Sequence, residues 1–188
     1  MSRGLDDLPD RAATLYLSDS MAEEDACTDV VTAAGNPDAV LWIGYGTSPA
    51  DRVGAVLDAD GPTPDRQAAI LVGNVDDSEL PVELSIDRIR DPGDVTGLGI
   101  AISERIDEWS GAEMTMCFDS LSMLLQYVSF DTVYEFVHVT TGRLYAHGAS
   151  SHFHVDAGAH DEETLARLTT LFDARVERTD DDYRVRTE

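Results

Sequence analysis

The sequence predicts an α/β protein with a mostly parallel central sheet, helices on both faces and a C-terminal β-hairpin. Three observations carry that prediction. Apolar runs of strand length alternate about five times with segments of helical periodicity, an order that favours parallel strands joined by crossover helices. The runs are of the buried type, bounded by turn residues. The 188 residues contain no internal repeat, low-complexity tract or linker, which bounds the chain to one domain with a full core.

In chain order, residues 1–12 read as a polar lead-in to a single domain spanning 13–188. Ala13 to Leu17 is the first strand. Ser20 with Glu23 matches a capping box, and Ala26, Val30, Val31 and Ala34 follow at helical spacing until Gly35-Asn36-Pro37. Ala39 to Gly44 is a second strand, and Ser48-Pro49 then starts a helix with Val53, Val56 and Leu57 on its apolar face. Asp60-Gly61-Pro62 breaks it, and Ala68 to Val72 is a third strand. Residues 73–81 read as a polar loop, followed by a weakly alternating strand at Val82-Leu84-Ile86.

Asp91-Pro92-Gly93-Asp94 opens a helix that places Leu98, Ile102, Ile106 and Trp109 on one face. Residues 113–119 form a buried central strand that delivers one acid, Asp119, to its C-terminal edge, and residues 121–128 read as a helical turn or an apolar loop. Asp131 starts a long helix with Val133, Phe136, Val137 and Leu144 inward, and Ala149 to Val155 is a further strand ending at Asp156. Asp161 caps a helix bearing Leu165, Leu168, Leu171 and Phe172. Ala174 to Arg178 and Tyr183 to Thr187 alternate and form the hairpin.

Composition narrows the setting. There are 37 acidic and 13 basic residues, a formal net charge of −24, and every basic residue is Arg. An average chain of this length carries about ten Lys. Acid-rich, lysine-free composition fits the cytosol of an extreme halophile, where a Debye length of about 3 Å at molar salt screens the self-repulsion. Without a basic stripe, nucleic-acid binding is excluded as a class, and anionic membrane surfaces are disfavoured in the same way. No apolar run reaches membrane-spanning length, and the N-terminus has no signal-peptide pattern, so the expected location is cytoplasmic. Cys27 and Cys117 sit in apolar patterns and read as reduced core residues.

The segments CFDSLSMLLQYV around Asp119, DPGDVTGLGIAISERI from Asp91 to Ile106, and AHDEETLARLTTLFD from Ala159 to Asp173 resemble the RecA-like ATPases, in particular the KaiC-like branch. They are similar to small, cut-down, transducer-like members of that branch in halophilic archaea. The resemblance covers roughly residues 13–178 and implies a three-layer RecA-like fold. It also implies a P-loop after the first strand and, at Asp119, the acid that meets Mg²⁺, with Ser120 beside it. The chain departs at the P-loop: Ser18 to Asp25 (SDSMAEED) holds no Gly to let backbone N–H groups close on a phosphate and no Lys to neutralise its charge. Glu23, Glu24 and Asp25 already answer the dipole of the helix that follows.

Two hypotheses follow. The first is a pseudo-ATPase that regulates or signals through protein contacts with itself, a related ATPase or a transducer-type protein, with no cofactor. Leu124, Leu125, Tyr127 and Phe130 are its candidate contact residues, with a core role as the plainer reading. The second is an enzyme or ligand binder. Asp119 and Ser120 would hold weak Mg-nucleotide, or His152, His154, Asp156 and neighbouring His160 would hold Zn²⁺, since His-x-His-x-Asp puts two imidazoles and a carboxylate on one face of a strand. The plainer readings make Asp119 a strand-end cap and pack the two histidines against a helix. Gly44-Tyr45-Gly46-Thr47-Ser48 is either an anion cradle or a strand-to-helix turn. Gly97 and Gly99, inside a helical pattern, imply close packing of another segment.

Overall fold

A computed structural model describes residues 4–18, 25–33, 37–59, 63–178 and 183–187. Eight strands form one sheet: β1 (Ala13–Ser18), β2 (Ala39–Tyr45), β3 (Arg66–Val72), β4 (Ser85–Ile89), β5 (Met114–Asp119), β6 (Ser150–Asp156), β7 (Ala174–Arg178) and β8 (Tyr183–Thr187). Their order is β4-β3-β2-β5-β6-β1-β7-β8, parallel throughout except for β8, which runs antiparallel to β7. The two outermost strands are the least buried, as the half-exposed edges of a sheet are.

The helices divide between the faces. The apolar residues of α1 (Asp25–Ala33) and α2 (Ala50–Asp58) join the outward alternate residues of β2 and β3, with Cys27, Val31, Val53 and Val56 packing on Val40, Trp42, Ala69 and Cys117. The opposite face carries the larger core. There α3 (Val95–Glu108), α4 (Leu121–Leu124), α5 (Phe130–Ala146) and α6 (Glu162–Thr169) bury Leu98, Ile102, Leu121, Val133, Val137 and Leu168 against Leu41, Ile43, Met116, Phe118 and Phe153. Phe118 and Phe153, in register on β5 and β6, stack with ring centroids 5.2 Å apart. This is the three-layer arrangement that strand and helix alternation predicts.

Local chemistry fixes the helix starts. Asp94, rather than Asp91, is the N-cap of α3; its carboxylate accepts from Gly97 N–H at 2.8 Å, while Asp91 accepts from Gly93 N–H. A Cβ on Gly97 would lie 2.3 Å from Asp94 Oδ2, so this glycine makes room for the cap of its own helix. Gly99 does face another segment, Phe136 on α5. Ser129, two residues before the expected Asp131, caps α5, and Asp161 caps α6 as expected, accepting from Thr164 N–H at 2.7 Å.

Elsewhere the structure departs from the sequence reading. Leu5 of the polar lead-in is buried with Tyr16, Val30 and Val176. Leu57, expected inward, is 39% exposed. The loop at 73–81 buries Val75 and Leu80, whereas Val82, assigned to a strand, is 97% exposed and β4 begins three residues later. The Ser20–Glu23 capping box, Gly35-Asn36 and Asp60-Gly61-Pro62 lie outside the described residues.

Candidate functional site

Two polar groups meet under α1 and α2, on the face of β5 and β6 opposite the large core. The first is at the C-terminal edge of β5. Asp119 is buried there, and its Oδ2 lies 2.6 Å from Nη1 of Arg52, on α2. Arg52 is buried as well; desolvation works against its charge, but Cys117 and Asp119 more than compensate, so its pKa is raised. Ser120 is the N-cap of α4, its hydroxyl accepting from Met123 N–H at 3.3 Å. The acid singled out by the sequence thus meets a guanidinium, and its serine neighbour caps the next turn.

The second group lies one alternation back along the strand. Cys117 on β5 is in register with His152 on β6, and His154 is two residues further on, so all three share a face. Helix α1 lowers Cys27 onto that face. Cys27 Sγ lies 2.8 Å from Cys117 Sγ and 2.9 Å from His152 Nε2, and Cys117 Sγ lies 3.6 Å from His154 Nε2. One donor atom from each residue falls within 4.8 Å of every other, and all four residues are buried. Both cysteines are free thiols. Burial pushes both sulfurs up, yet they separate: Cys27 is raised further by its neighbour Cys117, whereas the Cys27 contact and the two imidazoles bring Cys117 well down. Tyr16 flanks the group, its ring centroid 5.1 Å from that of His154, and His152 Nδ1 is buried with no hydrogen-bond partner among the described residues.

The structure therefore keeps His152 and His154 of the histidine group and regroups the rest. Asp156 turns away to accept from Gly158 N–H, and His160 Nε2 meets Ser122 Oγ at 2.8 Å; Ser122 also accepts from Asp156 N–H. The two cysteines complete the set instead. Single apolar-pattern cysteines 90 residues apart carry no spacing signal, and only the sheet register brings them together.

The expected contact residues also divide. Leu124 is core, which removes it from any surface, and Leu125 packs partly against that core. Phe130 lies beneath the Arg167 guanidinium, 4.0 Å from its ring centroid, and Tyr127 alone of the four is exposed, at 51%. The glycines of Gly44-Tyr45-Gly46 have backbone reasons: a Cβ on Gly44 would come within 2.5 Å of Thr47 O, and Gly46 has φ +74°. Pro49 is the N-cap of α2, with Ser48 Oγ accepting from Ala50 N–H at 3.3 Å.

The chain belongs to the family of unknown function DUF7504, whose model matches residues 11–178. No curated protein matches the sequence. Among solved structures it is similar to a Pyrococcus horikoshii OT3 protein, at 15% identity and TM-score 0.62, covering 95% of this chain and 86% of that one. It is also similar to the flagellar accessory protein FlaH of Methanocaldococcus jannaschii, at 9% identity and TM-score 0.51, covering 94% of this chain and 76% of that one. At these identities the likeness is one of fold, and the fold is RecA-like. Among the described residues no helix is long and apolar enough to cross a membrane.

Proposed function

We propose that this DUF7504 member is a RecA-like domain without nucleotide hydrolysis, which regulates or signals through protein contacts in a high-salt cytosol. The observation that carries this reading is the Arg52–Asp119 ion pair. An acid that organises water around Mg²⁺ must present its carboxylate to the ion; here a guanidinium 2.6 Å away holds it. A divalent cation at the same edge would have to displace Arg52 and leave a buried cation unpaired, which is costly. The sequence supports the same reading, since it contains no lysine to grip a β/γ-phosphate and its order after the first strand runs Glu23-Glu24-Asp25 instead of a Gly- and Lys-bearing loop.

Support for a partner surface comes from α3 and α5. A groove of about 530 Å³ runs between them, lined by Gly99, Ile102 and Phe136, with Ile100 and Val139 well exposed along it. Exposed apolar side chains clustered on a groove are a common feature of protein contact sites. The partner classes remain a second copy, an active relative or a transducer-type protein.

The test is thermal unfolding in multimolar KCl with and without Mg·ATP. Binding to the native state raises the transition by an amount set by RT ln(1 + [L]/Kd). The expected result is no shift and no phosphate release. Turnover that Asp119→Asn abolishes would overturn the proposal.

A further inference from the structure

We propose that Cys27, Cys117, His152 and His154 bind one zinc ion, which pins helix α1 to the centre of the sheet. The inference concerns the face of β5 and β6 beneath α1 and does not depend on the nucleotide reading. Four observations meet there. The donor set, two sulfurs and two imidazole nitrogens, is the one that soft thiolate and borderline imidazole ligands offer to zinc. All four donors lie within 4.8 Å of one another, which leaves room for a single ion at their centre and none for an iron–sulfur cluster. Each residue comes from a rigid element: Cys27 from α1, Cys117 from β5, and His152 and His154 from β6. Finally, the protein partners of these groups are weak. Two buried imidazoles face thiols, which are poor donors and acceptors, where buried polar groups normally find strong partners.

The metric fits with a small adjustment. Bond lengths of about 2.3 Å to sulfur and about 2.1 Å to nitrogen in a tetrahedron place ligand pairs roughly 3.4–3.8 Å apart. The Cys117–His154 separation of 3.6 Å already lies in that range. The sulfurs, at 2.8 Å, and the Cys27–His152 pair, at 2.9 Å, open by less than about 1 Å to admit the ion, while the widest pairs, within 4.8 Å of one another, close by up to about 1 Å. Each thiol gives its proton to solvent as its sulfur–zinc bond forms, so two thiolates neutralise the ion, while the Arg52–Asp119 pair alongside is neutral by itself. Four protein ligands and near-complete burial leave no coordination position for water or substrate. The ion is therefore structural, and its binding free energy adds to folding.

The experiment uses the full chain purified in high-salt buffer from zinc-supplemented cells. Elemental analysis is expected to give one zinc per chain, and titration of the folded protein with a thiol reagent should release the ion together with two thiols. Strong chelation should lower the unfolding temperature. Cys117→Ser is expected to lose the zinc. Because that variant can also fail to fold, the unmodified chain is refolded with Co²⁺, where a tetrahedral site with two thiolates gives intense visible bands and sulfur-to-cobalt charge transfer. Metal-free protein with two free thiols overturns the proposal, as does a Cys27–Cys117 disulfide, seen as a chain lacking two hydrogens. Copper found in place of zinc overturns the zinc assignment.

Discussion

Arg52 on α2 reaches across the sheet edge to Asp119 at the end of β5, an ion pair of 2.6 Å in which each side chain is only 9% exposed. Its burial decides what mutation does. Removing one partner leaves the other as an unpaired buried charge, so Arg52→Ala should destabilise the fold by about 3–5 kcal/mol. Replacing both, as Arg52→Met with Asp119→Leu, should cost much less than the two single changes added together. Denaturant unfolding of the three variants in high salt measures this non-additivity. Additive losses would show that the pair is not coupled.

Leu124 and Tyr127 are three residues apart and have opposite fates. Leu124→Ala removes a fully buried side chain and should cost about 2–5 kcal/mol. Tyr127→Ala, at a half-exposed position, should lie within about 0.5 kcal/mol of the parent, apart from its ring contact with Tyr45. Chemical denaturation of both variants tests the assignment of one to the core and the other to the surface.

Helix capping gives a third stability test. Asp94 caps α3, and Asp94→Ala should cost about 1 kcal/mol. Gly97→Ala should fail for a different reason, since its Cβ would collide with the capping carboxylate. If Gly97→Ala proves neutral, the close approach of Asp94 is not the reason for that glycine.

Asp161 makes a pH-dependent contribution. Hydrogen bonds from the backbone and side chain of Thr164 hold its carboxyl below the ordinary value. A depressed folded pKa means that the stabilisation is present above the unfolded pKa of about 3.9 and is lost as pH falls through the folded value. Asp161→Asn should therefore flatten the acid limb of the stability curve and leave the neutral region little changed, as followed by circular dichroism along an acid titration.

The charge of −24 makes stability depend on salt. Self-repulsion is long-ranged in dilute buffer and screened within about 3 Å at molar salt. The unfolding temperature should rise steadily from dilute buffer into multimolar KCl. A flat profile would remove the high-salt setting from the proposed function.

Much of the fold was legible because its signals are local. A strand buried on both faces must be an apolar run, so β1, β2, β3, β5 and β6 stood out, and caps such as Asp161 announce themselves within four residues. The inward face of α3, Leu98, Ile102, Ile106 and Trp109, followed from period alone. Edge elements were harder. β4 is only half covered, so its pattern is weak, and the exposed Val82 lies in the loop before it although it continues the alternation. Leu5 was hidden because one apolar residue in a polar stretch has no periodicity to reveal its burial.

The sequence by itself determined the α/β architecture, the order of its strands and helices, the acidic lysine-free surface and the presence of Asp119 at a strand end. Those follow from periodicity and composition, which act over a few residues at a time. Only the tertiary structure decided what Asp119 touches and what His152 and His154 face. Arg52 lies 67 positions before Asp119, and Cys27 lies 125 before His152. Partners so distant in sequence are chosen by sheet register and by which face each crossover helix covers, and no local pattern records either.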